Sequence, residues 1–243
     1  MRILAIDTAT GCCGGAIADE KGILAQFSLN LGTMGKTHSQ SLLPMVDALL
    51  KNAQIPLASL DALALTIGPG SFTGLRIGAA TIKAWSQVFS LPIIAVSTLR
   101  AFAFAADKEG LVCPILDARR NQVYCGLYRQ DQEIWPDMPL EAGQLAYALR
   151  NLGQKITFTG DALPVYQELF ADILGDYFFV AGEDKRYIPA AACALLAVKD
   201  YALAKFTSCQ DLLPIYLRAS EAERKKMEAE EGKKPTISLL HNF

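Results

Sequence analysis

The sequence predicts an α/β protein of two lobes, each built on a mixed β-sheet flanked by helices. Three observations carry this prediction. Short runs with strand character alternate with longer segments of helical period from residue 3 to about residue 205. The order strand, strand, strand, helix, strand, helix, strand opens the chain, and after about residue 106 the pattern begins again. A chain of 243 residues, 51% hydrophobic and 20% charged, is long and apolar enough to bury real cores without staples.

The first strands are "RILAID" (2–7), "GGAIAD" (14–19) and "ILAQFSLN" (23–30), joined by a Thr/Gly turn and the "DEKG" turn at 19–22. "HSQSLLPMVDALLKNAQ" (38–54) places Leu42, Val46, Leu49 and Leu50 at helical spacing, and "LDALALTIG" (60–68) returns to strand. A glycine-rich loop, "GPGSFTGLRIG" (68–78), feeds a helix over about 74–90, with Ser71 as a candidate helix-start residue. "LPIIAVS" (91–97) is a fifth strand. This is the order of one lobe of the actin and sugar-kinase fold, a hint at the level of class. The "ADKEG" boundary (106–110) leads into the hairpin "LVCPILDA", "RRNQ", "VYCGLYR" (111–129). Cys113 and Cys125 are equidistant from Arg119, so a hairpin centred there would set them opposite each other. A helix over 143–152, a strand at 155–160, a helix over 164–174, a short strand "YFFV" (177–180) and a helix over about 189–205 follow. The expected domains are an N-terminal lobe over 1–106 and a smaller lobe over 107–220, whose last helix is free to pack back on the first. A charged extension, 221–243, reads as a solvated tail.

Composition excludes several classes of function. A formal charge of -2 gives no electrostatic grip on polyanions, so direct tRNA recognition has little support beyond Arg119 and Arg120 at a hairpin tip and Arg224 to Lys226 beside acidic neighbours. The six cysteines form no CxxC pair and read as reduced thiols of a cytoplasmic protein. Asp7 interrupts the first apolar run too early for a signal peptide, and "AAACALLAV" (190–198) is too short to span a bilayer, so no membrane role is expected.

A glycine-rich turn before a helix can cradle phosphate, or it can let another chain approach closely. It is not a Walker A loop, because Gly74 is followed by Leu75 and Arg76. Nor is it a nucleophile elbow, because Pro69 stands where GxSxG needs glycine. In "IDTAT", Asp7, Thr8 and Thr10 could position a magnesium ion and a phosphate, or could simply bond their own turn. The two histidines, His38 and His241, restrict metal and triad chemistry, and His38 reads as a capping or surface residue. No serine, cysteine or metal constellation supports a peptidase.

The two N-terminal-lobe helices are broadly apolar. Leu75, Ile77, Ile82, Trp85, Val88 and Phe89 spread around one, and Leu42, Leu43, Met45, Val46, Leu49 and Leu50 around the other. An ordinary surface helix buries one stripe. Each such side chain left wet would forgo about 1.5–3 kcal/mol, so the sequence predicts a partner chain over both, with fully internal packing, in part under the second lobe, as the alternative.

"ILAIDTAT", "HSQSLLP", "GPGSFTGLRIG", "VSTLRAF", "LDARRNQVY" and "PIYLR" together resemble the TsaB (YeaZ) family, a small subunit of the bacterial tRNA threonylcarbamoyladenosine machinery. The resemblance is dense over residues 1–125 and thin afterwards, and the terminal extension departs from it. It implies the actin-like ATPase (ASKHA, ribonuclease H-like) fold and kinship with the catalytic subunit TsaD. TsaD carries an HxxxH metal pair where "VSTLRAF" offers Thr98 and Phe102, so the resemblance implies a catalytically silent paralogue needing no cofactor of its own, with ATP and magnesium on TsaD and on the ATPase TsaE. It further implies that His38, Leu42, Met45, Val46 and Leu49, with Gly70, Phe72, Gly74, Leu75, Arg76, Ile82 and Trp85, form the partner surface. That surface would pack against TsaD, or against a second copy when TsaD is absent, with tRNA engaged indirectly. The alternative from the same residues is a small ATP-binding enzyme using Asp7 and Thr8, with Thr10 completing a vestigial phosphate loop.

Overall fold

The computed structural model describes residues 1–106, 110–182 and 189–218; the expected extension at 221–243 lies outside the described residues. Strands β1 (Ile3–Asp7), β2 (Cys12–Asp19) and β3 (Gly22–Asn30) form an antiparallel meander, then the short α1 (Leu31–Met34) and α2 (His38–Ala53) lead to β4 (Ala62–Thr66). Helix α3 (Phe72–Phe89), β5 (Ile93–Val96) and α4 (Thr98–Ala106) complete the first lobe. The second lobe has β6 (Leu111–Arg119), β7 (Gln122–Arg129), β8 (Gln132–Glu141), α5 (Ala142–Arg150), β9 (Ile156–Thr159), α6 (Leu163–Leu174) and β10 (Phe178–Val180). Helix α7 (Pro189–Ala202) then returns to the first sheet.

The two sheets follow one plan. The first is ordered β3-β2-β1-β4-β5, the second β8-β7-β6-β9-β10, and in each an antiparallel meander is extended by two parallel strands. The fold is that of the actin-like ATPases, as the strand order predicted. The equivalent central strands β1 and β6 carry Asp7 and Asp117 at or near their carboxyl ends, a correspondence of "AID" with "ILD" that no fixed-period repeat search would find.

Alternation along β1 and β4 explains how the first sheet takes helices on both faces. Leu4, Ile6, Leu63 and Leu65 face α2 and α3, whose Leu42, Met45, Val46, Leu49 and Ile82 complete that core. Ile3, Ala5, Ala62 and Ala64 face the alanine-rich α7, and small residues on both sides let helix and sheet approach closely. Arg100 on α4 pairs with Asp200 on α7 through Nη1–Oδ2 at 2.6 Å and Nη2–Oδ1 at 3.3 Å. It also reaches Asp131 in the β7–β8 turn at 3.6 Å, joining both lobes. The opposite side of α4 packs Leu99 and Phe102 on Val112, Leu116 and Tyr128.

Three elements escape the sequence reading, the four-residue α1 among them. β8 contains Pro136 and Pro139, which argue against a strand unless it lies at an edge, where β8 is. α4 follows β5 directly and is too short for a clear period. Helix α3 starts at Phe72, two residues earlier than expected, because the Ser71 side chain accepts the Gly74 N–H and caps it. The hairpin turns at residues 119–121, so Cys125 faces Ile115 rather than Cys113, and the described cysteines are free.

Candidate functional site

The glycine loop closes on the chain's own β1–β2 turn. A Cβ on Gly74 would stand 1.9 Å from the Thr8 carbonyl oxygen, and one on Gly70 would stand 2.2 Å from that of Ala9. Neither space exists. Two hydrogen bonds fix the contact: Ser71 N–H to Ala9 O at 2.6 Å, and Thr8 Oγ1–H to Gly74 O at 2.8 Å. The close approach that the glycines permit is therefore internal.

The same contact decides what the turn has left to offer. Thr8 is 2% exposed with its hydroxyl spent on Gly74, and Thr10 accepts the Cys12 N–H at 3.2 Å. The Thr10 bond is the local bond of a tight turn, whereas the Thr8 bond ties that turn to α3. Asp7 is fully buried, its Oδ1 accepting from Thr66 Oγ1 and from Ala9 N–H, while Oδ2 has no partner among the described residues. Burial is the largest cause that pushes its carboxyl up to about 6, against the Thr66 and Ala9 hydrogen bonds. Among the described residues no cluster of three or more His, Cys, Asp or Glu could hold a metal. The Thr8 hydroxyl hydrogen is committed to Gly74 O, which leaves Asp7 Oδ2 as the turn's unpartnered side-chain oxygen among the described residues.

Thr10, the glycine loop, the β6–β7 hairpin, Asp161 and residues 215–218 line a cleft of about 610 Å³ between the lobes. Asp161 accepts the Asp117 N–H at 3.0 Å, and its carboxyl is likewise pushed up to about 6, burial being the largest cause. His38 fastens the start of α2 to β2, its Nε2 meeting the Cys12 carbonyl at 3.2 Å.

Because the folded Asp7 binds its proton more tightly than the unfolded residue, its contribution to stability is present below about pH 4 and falls as pH rises to about 6. Asp7→Asn is expected to raise stability at pH 7.5 by about 1–3 kcal/mol and to flatten the decline between pH 4 and 6. Asp161 acts with the same sign, so part of the slope should remain. Urea unfolding at pH 4.5 and 7.5 checks both.

The expected partner surface divides. Leu42, Met45, Val46, Leu49, Leu75 and Ile82 are at most 5% exposed and belong to the chain's own core, so the breadth of α2 and α3 needs no partner at these positions. The reason is geometric: besides the sheet residues, Ile55, Leu60, Leu91 and Leu212 from the loops join the same cluster and cover more of each helix than one stripe. Trp85 is half-buried against the same core. Gly70 and Gly74 are occupied as described. Phe72 and Arg76 pack on each other, with the guanidinium 3.9 Å from the ring centroid. The apolar side chains that α2 and α3 do present to solvent are Leu43, Val88 and Phe89, at 55%, 73% and 36% exposure. All three are legible in the sequence only as part of the general breadth.

Thr98 and Phe102, the positions standing for the imidazole pair, are both sealed. Thr98 Oγ1 accepts the Gly68 N–H at 3.2 Å, and Phe102 is 1% exposed between the lobes. Tyr216 and Arg218, within the "PIYLR" motif, reach the glycine loop and the hairpin, contacts that nothing local in the sequence signals.

Comparison with known proteins agrees with this architecture. A family model described as TsaD, tRNA N6-adenosine threonylcarbamoyltransferase, matches residues 32–236. The tRNA threonylcarbamoyladenosine biosynthesis protein TsaB of Bacillus subtilis is 31% identical over 235 residues, 95% of this chain and 100% of that protein. The Escherichia coli protein of the same name is 33% identical over 230 residues, 93% and 98% of the two chains. Among solved structures, YeaZ from Pseudomonas aeruginosa superposes with a TM-score of 0.70 at 26% identity, covering 89% of this chain and 99% of that one. Component A of (R)-2-hydroxyglutaryl-CoA dehydratase from Acidaminococcus fermentans shares the fold alone, with a TM-score of 0.54 at 12% identity over 83% and 99% of the chains.

Proposed function

This chain belongs to the TsaB family, and from that premise we propose that it acts in tRNA threonylcarbamoyladenosine biosynthesis as a cytoplasmic scaffold and activator without a catalytic centre of its own. It docks on a TsaD-type catalytic paralogue through the outer sides of α2 and α3, and the ATPase TsaE joins the pair. Threonylcarbamoyl transfer, ATP and magnesium belong to those partners, and tRNA is engaged through TsaD. In the absence of TsaD, the same surface pairs two copies.

The observation that carries this reading is the use made of Thr98 and Phe102. Where the resemblance to TsaD places two imidazoles, this chain has a hydroxyl committed to the glycine loop and a phenyl ring committed to the interlobe core. Neither supplies the nitrogen ligand that a soft-to-borderline metal needs. The exposed Leu43, Val88 and Phe89 support the docking surface, since such side chains gain when covered.

The test is co-purification with TsaD. Val88→Asp combined with Phe89→Asp should weaken TsaD binding at least about tenfold, because two charges would be buried in the interface, while the melting temperature stays unchanged. Undiminished binding by the folded variant rejects the surface. Titration of the isolated chain with Mg-ATP separates the enzymatic alternative: micromolar affinity with turnover lost in Asp7→Ala would favour it.

A further inference from the structure

The last described residues cross from one lobe to the other. Leu212 is buried in the first-lobe core, and the Ile215 N–H donates to Ile67 O at 2.7 Å. Gly68, at φ +120°, lies so close beneath that a Cβ on it would stand 2.5 Å from Ile215 O. Tyr216 stacks on Phe72, with centroids 4.6 Å apart, and accepts from Arg76 Nε at 3.1 Å. Beyond it, Arg218 Nη1 donates to Ala118 O in β6 of the second lobe at 2.6 Å. Residues 215–218 thereby make one wall of the interlobe cleft.

We propose that residues 212–218 form a releasable strap across the cleft, anchored at Leu212 and Ile215 and latched on the second lobe by Arg218. Its two ends are unequal. Leu212 is sealed, 1% exposed, and beyond it Leu213, Ile215 and Tyr216 lie open at 67%, 38% and 41% exposure, so past Leu212 the segment is held by the Ile215 backbone bond, the Tyr216 stack and the Arg218 side-chain bond. A segment with so little burial opens at low cost, and it opens from the end held by a side-chain hydrogen bond. The latch grips a hairpin that is itself held in an uncommon conformation, because Arg119, Arg120 and Asn121 all have left-handed backbones with φ of 67°, 56° and 58°. Release of Arg218 therefore frees the cleft wall and loosens the hairpin that faces it, while both sheets stay intact. The device does not depend on the docking surface proposed above, since it runs between the lobes of one chain.

Hydrogen–deuterium exchange on the full chain tests it, with Arg218→Met to cut the latch and keep the stem, and Tyr216→Ala to cut the stack. In Arg218→Met, amides of 212–218 and of the hairpin turn at 119–121 should both exchange about tenfold faster or more, with β1, β4, β9 and the paired residues 111–117 of β6 unchanged. In Tyr216→Ala, faster exchange should appear in 212–218 and in the glycine loop and first turns of α3 at 70–77. Acceleration confined to 212–218 in the methionine variant would overturn the proposal, because the hairpin would then be held by other contacts. Acceleration spread through both sheets would overturn it as well, because Arg218 would then support the whole fold.

Discussion

Leu75→Asp is expected to abolish folding, and any loss of partner binding in this variant will be a consequence of that. Leu75 sits in the first turns of α3, 1% exposed, against Gly68 of the glycine loop. Truncating a buried leucine costs about 2–5 kcal/mol, and the aspartate adds an unpaired charge in the same space. The sum exceeds about 5 kcal/mol, which is comparable with the whole stability of many domains. Circular dichroism and size-exclusion chromatography should show an unfolded or aggregated chain. Val88→Asp, two thirds of the way to solvent or more at 73% exposure, should keep the wild-type spectrum and melting temperature. The pair separates core from docking surface on the same helix, and a folded, monodisperse Leu75→Asp protein would mean that this helix face is open.

Gly74→Ala is expected to be nearly as damaging although it adds one methyl group. The new Cβ would meet the Thr8 carbonyl oxygen at 1.9 Å, a contact with backbone on both sides. Relief requires α3 to move off the β1–β2 turn, which stretches the Thr8 hydroxyl bond to Gly74 and the Ser71 bond to Ala9. Overpacking of this kind costs about 1–3 kcal/mol where neighbours can yield, and more where they cannot. A loss of about 3 kcal/mol or more is expected in urea unfolding. Gly11→Ala, in the same turn region with nothing within 4 Å of its Cβ, is the control and should change stability by less than about 0.5 kcal/mol.

These two positions also show how far the sequence could be read. The order of elements along the chain and the two lobes are legible because short apolar runs such as β1 and β4, and the turn residues between them, are local signals. The close packing demanded by the glycine loop was legible too, from the glycines alone. What it packs against was not, since Gly74 and Thr8 are 66 residues apart and no local pattern links them. The same distance hid the roles of Tyr216 and Arg218, whose partners lie 140 and 100 residues away. The apolar breadth of α2 and α3 was seen correctly as residues and misjudged as surface. Helix periodicity counts apolar positions, and only the tertiary fold tells how many of them the chain itself covers. Asp161 was invisible beforehand, because its elevated carboxyl depends on burial beside Asp117 across a strand pair.

A reconstituted modification assay tests the central claim most directly, with purified TsaD, TsaE, substrate tRNA, ATP and the carbamoyl donor, run with and without this chain. The account expects tRNA to be modified in multiple turnovers when the chain is added to TsaD and TsaE, and no modification when the chain is supplied with tRNA and donor alone. Transfer by the isolated chain, or undiminished transfer by TsaD and TsaE without it, would contradict the account.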